Sequence, residues 1–300
     1  MTQIYRPKRM ARLRQLSLGR IGYSLRVWGD ETARPILMLH GTQDCSATFQ
    51  FVVDHLSPDW QVIAPDWRGH GFSDRADSYW FHDFVGDLSL LVDVLFAGRP
   101  VPVIGHSLGG NIAGIYAGLR PDRVSRLVSL DGFGPLVDHV PVDPLALFRS
   151  FLDTREPQAP RRYPDLEAMA ARLVKANPAL DLARARWLAQ ESSAELPGVG
   201  RRWLFVDGYR RSLPSLRNTA EWHKIWNQIT APVLWVESGN NWPNAPINHP
   251  EELDRRAAQL SNLRRVKLAG THHNLHHDAP ERVAREIEAF LLAEEGKSPC

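Results

Sequence analysis

The chain has 300 residues, a formal net charge of +2, 43% hydrophobic residues and 23% charged residues. The length fits one large domain or a core domain plus an insertion, and the composition is ordinary for a globular protein. The near-neutral charge argues against a general nucleic-acid binder. No apolar run approaches the ~20 residues of a membrane span, and no apolar segment of a secretory signal follows the basic N-terminus. The only cysteines are Cys45 and Cys300, so we expect no disulfide and a cytoplasmic location.

Short apolar segments alternate with longer amphipathic segments along most of the chain. Two segments at 13–19 and 23–29 predict an antiparallel hairpin, and apolar strands are predicted at 35–40, 60–67, 101–106, 126–132, 231–238 and 263–270. Amphipathic helices are predicted at 79–97, 109–120, 249–260 and 279–293. Because strands that alternate with helices form parallel sheets, the pattern predicts a mostly parallel sheet covered on both faces.

The alternation of strand and helix stops between Gly134 and Thr230. We interpret residues 135–230 as a helical cap inserted above the carboxyl edge of the sheet, with residues 1–134 and 231–300 forming the core domain. The segment is rich in tryptophan, at Trp187, Trp203, Trp222 and Trp226. We expect these rings to fill the cap interior, although an apolar cap also suits a flat or aromatic substrate.

The sequence GHSLG at residues 105–109 matches the Gly-x-Ser-x-Gly pattern of a nucleophile elbow. It lies between a predicted strand and a predicted helix, which is the context that this sharp turn requires. The turn is crowded, so Gly105 and Gly109 meet a need for small residues on both sides of Ser107. A serine hydroxyl is a poor nucleophile at its free pKa, so a base must come from elsewhere in the chain.

A histidine-rich loop, GTHHNLHHDAP at residues 270–280, follows the last predicted strand. Loops at the carboxyl edge of a parallel sheet open onto one crevice, so this loop is expected to reach the serine. Its histidines are His272, His273, His276 and His277. The loop has no nearby cysteine and Asp278 is its only carboxylate, so we expect neither a metal nor a cofactor.

The chain resembles the α/β-hydrolase superfamily, and more narrowly its serine-hydrolase-like members that carry a cap. The resemblance runs from about residue 20 to 293. It rests on LMLHGTQD (37–44), APDWRGHGFSD (64–74), GHSLGGN (105–111), LDGFG (130–134) and GTHHNLHHDAP (270–280), in the family's order. It implies the α/β-hydrolase fold, with a mostly parallel eight-stranded sheet, flanking helices and a helical cap.

The resemblance implies a catalytic triad with Ser107 as the nucleophile. Counting back from Pro280 by the family's spacing gives His273 as the base. His272 is the alternative base, because a loop insertion would shift the count. His276 is expected to be a packing or hydrogen-bonding residue.

The acid of the triad orients the imidazole and stabilises the imidazolium. The family's usual position falls on Asn241, beside Asn240, and neither residue is an anion. Asp131, at the end of an earlier strand, is therefore the expected acid, and Glu237 is the alternative.

The resemblance also implies an oxyanion hole made of two backbone N–H groups. One belongs to Leu108, directly after the nucleophile. The other belongs to Thr42, with Gln43 as the alternative.

These residues together predict a serine hydrolase that cleaves a small carboxylic ester or a related acyl compound through an acyl-enzyme. The alternative is a cofactor-free dioxygenase or a carbon–carbon bond hydrolase that acts on an aromatic substrate on the same fold. Such dioxygenases favour a histidine after the serine, where this chain has Leu108. The expected partner is an apolar or aromatic small molecule, with no nucleic acid or membrane, and the protein is expected to be a monomer or a homodimer.

Overall fold

The computed structural model describes residues 4–134, 145, 149, 161–206, 219–240 and 250–293. Asn241, Cys300 and much of the predicted cap lie outside these residues. The strands are β1 (Arg12–Leu18), β2 (Ile21–Trp28), β3 (Arg34–Leu39), β4 (Trp60–Pro65), β5 (Val101–His106), β6 (Val124–Leu130), β7 (Arg162–Tyr163), β8 (Ser193–Leu196), β9 (Gly200–Trp203), β10 (Val233–Ser238) and β11 (Leu263–Leu268). The helices are α1 (Gln50–Val53), α2 (Phe81–Phe96), α3 (Leu108–Leu119), α4 (Leu166–Ala176), α5 (Leu182–Glu191), α6 (Thr219–Trp226), α7 (Pro250–Ala257), α8 (Leu275–Asp278) and α9 (Pro280–Leu292).

The main sheet has eight strands in the order β1-β2-β4-β3-β5-β6-β10-β11. The first two strands form the predicted hairpin, and β2 also pairs with β4 in antiparallel fashion. All remaining pairs are parallel. The predicted α/β-hydrolase fold, with a mostly parallel eight-stranded sheet, is therefore confirmed.

Both faces of this sheet are buried, which explains why its central strands are apolar throughout. On β3, Leu37 and Leu39 pack into a core with α2 and α3, whereas Ile36 and Met38 pack into a second core with α1 and α9. Successive side chains of a strand point to opposite faces, so a strand between two layers of helices needs apolar residues at every position.

The segment predicted as a helical cap contains a small sheet as well as helices. Its strands pair in the order β7-β9-β8, and α4 and α5 lie in the same part of the chain. Trp187 packs there against Phe51 of α1, with ring centroids 5.7 Å apart. These strands have two to four residues and carry polar side chains, so the sequence did not indicate them.

Helix α6 packs against the main sheet. Its Trp222 and Trp226 are buried in the same core as Phe133 and Trp235, although α6 falls within the segment 135–230. The division of the chain into a core domain and a cap stays a prediction. Among the described residues, no helix is long and apolar enough to cross a membrane.

Candidate active site

Ser107 occupies a strained turn between β5 and α3. Its φ of 51° and ψ of −115° are rare for a residue with a side chain. A Cβ atom on Gly105 would lie 2.3 Å from the carbonyl carbon of Gly109, and one on Gly109 would lie 2.1 Å from the oxygen of Leu39. Both positions therefore require glycine, and the turn has the shape that the motif predicts.

Three predicted residues form one hydrogen-bonded chain. His273 Nε2 lies 3.0 Å from Ser107 Oγ, and His273 Nδ1 lies 3.0 Å from Asp131 Oδ2. An ionised carboxylate only accepts hydrogen bonds, so this contact assigns the imidazole proton to Nδ1 and leaves Nε2 to accept from the serine hydroxyl. The three residues follow β5, β6 and β11, so the carboxyl edge of the sheet brings them together.

Asp131 is held by groups that the sequence did not reveal. Its backbone is left-handed, with φ of 52°, and its N–H donates to the oxygen of Val236 at 3.0 Å. Ser238 donates from its backbone N–H to Asp131 Oδ1 at 2.9 Å and from its hydroxyl to Oδ2 at 2.8 Å. The carboxylate is therefore oriented toward His273.

The two alternative residues lie outside this chain of hydrogen bonds. Glu237 accepts a hydrogen bond of 2.6 Å from Arg265 Nε on the neighbouring strand. It precedes Ser238, and successive side chains of a strand face opposite sides, so it points away from His273. His272 is about half exposed, and its N–H and Nδ1 both contact Asp278 Oδ2.

The peptide between Gly41 and Thr42 is oriented by the buried ring of His40. His40 Nδ1 lies 2.8 Å from the oxygen of Gly41, and His40 Nε2 accepts from the N–H of Trp67 at 3.0 Å. Because Nε2 of His40 accepts in the second contact, it carries no proton. The proton of the neutral ring is therefore on Nδ1, which donates to the oxygen of Gly41. In a trans peptide the C=O and the following N–H point in opposite directions, so the N–H of Thr42 is turned away from His40.

Neither predicted oxyanion donor is consumed by another contact. The N–H groups of Thr42 and Leu108 donate to no acceptor among the described residues. Gly41 packs against the serine, since a Cβ atom there would lie 3.2 Å from Ser107 Cβ. Gln43, the alternative donor, has a left-handed backbone with φ of 56°.

A row of buried histidines lies beside Ser107 and His273. His106 packs between His273 and His276, with ring centroids 4.9 and 4.2 Å away, and His276 packs on His277 at 4.1 Å. His106 Nε2 lies 2.9 Å from the backbone oxygen of His273. The sequence analysis did not single out His106, because its partner is 167 residues away in the chain.

Three donors near this row form the group best suited to a metal among the described residues. Asp44, His276 and His277 each offer a ligand atom, within 4.8 Å of one another. Thr48 Oγ1 already engages the Nε2 atoms of the two histidines, at 2.8 and 2.6 Å. Burial lowers the pKa of His277 to about 4 and raises the pKa of Asp44 to about 7. Hydrogen bonds through Thr48 account for the cluster without a metal.

A family model described as "alpha/beta hydrolase fold" matches residues 34–280. The chain is 31% identical over 278 residues to a "Serine hydrolase-like protein" of Danio rerio, covering 88% of this chain and 83% of the relative. It is 25% identical to a "2-(acetamidomethylene)succinate hydrolase" of Mesorhizobium japonicum, covering 93% and 95%. The solved thioesterase domain from the curacin biosynthetic pathway is similar with a TM-score of 0.84 and 26% identity, covering 93% and 99%. The chain therefore belongs to the α/β hydrolase family.

Proposed function

We propose that this hydrolase cleaves a small carboxylic ester or a related acyl compound through an acyl-enzyme on Ser107. The observation that carries the proposal is the hydrogen-bonded chain from Asp131 through His273 to Ser107, with two contacts of 3.0 Å. A hydroxyl, an imidazole and a carboxylate in this order supply a nucleophile, a base and a group that orients the base.

In the acylation step, Ser107 Oγ attacks the substrate carbonyl carbon while His273 Nε2 takes the hydroxyl proton. The carbonyl π electrons move to oxygen, and the oxyanion accepts hydrogen bonds from the N–H groups of Thr42 and Leu108. The intermediate collapses, the bond to the leaving group breaks, and His273 returns its proton to the leaving group. Asp131 stabilises the imidazolium that forms between these two transfers.

In the deacylation step, a water molecule takes the place of the serine hydroxyl. His273 Nε2 removes a proton from the water, whose oxygen attacks the acyl carbon. The second oxyanion collapses, the bond to Ser107 Oγ breaks, and His273 protonates the serine. The products are a carboxylic acid and the restored enzyme, so atoms and charge balance without a cofactor.

The names of two similar proteins support acyl chemistry in the proposal. The Mesorhizobium japonicum relative is named for hydrolysis of 2-(acetamidomethylene)succinate, and the curacin protein is a thioesterase domain. The first name describes a hydrolysis, and the second describes cleavage of a thioester. We extend this reaction class to the present chain and propose an apolar or aromatic acyl group.

The test is labelling of the purified protein with a fluorophosphonate probe. We expect wild type and His272→Gln to be labelled on Ser107, and Ser107→Ala and His273→Gln to lose labelling while they keep a normal unfolding transition. His272→Gln is the matched control because it changes the neighbouring imidazole. Hydrolysis of ester and thioester panels with alkyl and aryl acyl groups follows. A folded wild type that neither labels nor turns over any substrate, or a Ser107→Ala variant that retains turnover, contradicts the proposal.

A further inference from the structure

We propose that His106 is a positioning residue. It holds in place the loop that carries the base, His273, by donating a hydrogen bond from its Nε2–H to the backbone oxygen of His273. The inference rests on the proposed function, because it assigns His106 a task for the base of that reaction. His106 is next to the nucleophile in the chain, and its ring touches the loop that carries the base. One buried side chain thus connects the two parts that must stay aligned.

The hydrogen-bonding pattern of His106 assigns its proton. A carbonyl oxygen only accepts, so the 2.9 Å contact with His273 requires a proton on Nε2. The ring is 3% exposed, and burial lowers the pKa of His106 well below its usual value, so the ring is neutral with an unprotonated Nδ1. Within the part of the chain that the structure describes, that Nδ1 has no hydrogen-bond partner. It faces Gly41, where a Cβ atom would lie 2.9 Å from it.

Because Nδ1 of His106 is unpaired, the advantage of a histidine at this position must come from its other nitrogen, Nε2. A buried acceptor without a donor destabilises the fold, and a ring without nitrogen would fill the same space without that cost. The benefit of imidazole at position 106 is therefore the Nε2–H donor, whose partner is the backbone of His273.

The row of rings prevents His106 from moving away from this partner. His276 packs against His106 with ring centroids 4.2 Å apart, and Thr48 Oγ1 contacts His276 and His277 at their Nε2 atoms. All these side chains are buried. The donor therefore points from a rigid support toward a loop that lies between β11 and α8.

Besides the contact from His106, the loop is anchored before the base, where the backbone oxygen of Thr271 accepts from the N–H of Asn240 at 2.8 Å. The N–H of Thr271 donates to Leu268 at a long 3.3 Å, and the N–H of His272 donates to the Asp278 side chain at 2.6 Å. The hydrogen bond from His106 acts on the backbone of His273 itself. Loss of this donor would weaken the hold on that backbone and let the imidazole drift from Ser107. A misplacement of about 1 Å costs up to about 100-fold in rate.

Three substitutions separate the hydrogen bond from the packing of the ring. His106→Phe keeps an aromatic ring between His273 and His276 but removes the donor. His106→Gln removes the ring but places an amide N–H the same number of bonds from Cα as Nε2. His106→Asn places its amide nitrogen only as many bonds from Cα as Nδ1 is. That side chain is too short to reach the backbone carbonyl of His273.

We expect His106→Phe and His106→Asn to lose about 10- to 100-fold in kcat and in the rate of fluorophosphonate labelling, with KM little changed. We expect His106→Gln to stay within about threefold of wild type. Thermal unfolding of each variant identifies loss of folding, and the asparagine variant serves as the second donor deletion if the phenylalanine variant does not fold. Retained activity in His106→Phe with loss in His106→Gln, or equal loss in all three variants, overturns the proposal.

A spectroscopic signature tests the same inference without a substrate. The proton between His273 Nδ1 and Asp131 should give a low-field proton resonance in wild type. The proposal expects this resonance to shift or broaden in His106→Phe and His106→Asn and to persist in His106→Gln. An unchanged resonance in all variants overturns the positioning role, whereas a wild type that has the resonance but no hydrolytic activity contradicts the proposed function alone.

Discussion

Ser238 donates two hydrogen bonds to Asp131, one from its backbone N–H at 2.9 Å and one from its hydroxyl at 2.8 Å. Each bond reaches a different oxygen of the carboxylate, so the pair fixes its plane. The oxygen that takes the hydroxyl also takes His273 Nδ1. The orientation of the imidazole therefore depends on a serine from a different strand.

Ser238→Ala should weaken catalysis without removing the acid. The variant keeps the backbone donor and loses the hydroxyl, and a lost hydrogen bond to a charged group corresponds to about 1.5 kcal/mol, or about tenfold in kcat. Steady-state kinetics on an ester substrate measure the effect. Wild-type kcat in a folded Ser238→Ala variant would show that the backbone donor alone orients Asp131.

Asp131→Asn should lower kcat far more than Glu237→Gln. The amide at 131 stabilises the wrong tautomer of His273, and loss of the triad acid by this route costs up to about 10⁴-fold. Glu237→Gln removes only the ion pair with Arg265 and should keep nearly all activity. Equal losses in the two variants would contradict the assignment of the acid to Asp131.

Local motifs account for what could be predicted from the sequence. Ser107 is recognised because a strained turn demands glycine at fixed positions around it, and the fold follows from apolar strands that must fill two cores. The choice between Asp131 and Glu237 stayed open because it depends on which face of β10 the side chain of Glu237 occupies. The alternation along that strand turns Ser238 toward Asp131 and Glu237 toward Arg265.

Supporting contacts could not be predicted because their partners are distant in the chain. Ser238 and Asp131 are 107 residues apart, and His106 and the carbonyl it contacts are 167 residues apart. No local sequence pattern around a serine or a histidine indicates that it supports a distant residue in this way. These residues become visible only when the sheet brings its loops to one edge.

Acid should destabilise the folded protein through His277. Burial lowers its folded pKa to about 4, below the ordinary value of 6.5, so the unfolded chain binds the proton more tightly. Its contribution to stability is complete above pH 6.5 and is lost as the pH falls toward 4, by about 3 kcal/mol in total. Asp44, whose pKa is raised to about 7 by burial, acts in the opposite direction over the same range.

The measurement is the free energy of unfolding in urea at pH 7, 5.5 and 4 for wild type and His277→Gln. The amide keeps an N–H for Thr48 but does not titrate, so the stability difference between the two proteins should shift in favour of the variant as the pH falls. Because both proteins retain Asp44, its opposing contribution cancels in the comparison. A constant difference across the three pH values would show that His277 does not titrate in this range.

Gly41→Ala should disturb the oxyanion hole without unfolding the protein. A Cβ atom there would lie 2.9 Å from His106 Nδ1 and 3.2 Å from Ser107 Cβ, and both neighbours are held in place. The loop that carries Thr42 must therefore shift, and loss of one oxyanion donor costs about 10²- to 10³-fold in kcat. Gly86→Ala is the matched control, because its Cβ would meet no described atom within 4 Å on the exposed face of helix α2. The control should keep full activity and gain up to about 1 kcal/mol of stability. Wild-type kcat in Gly41→Ala would place the oxyanion donor elsewhere in the loop.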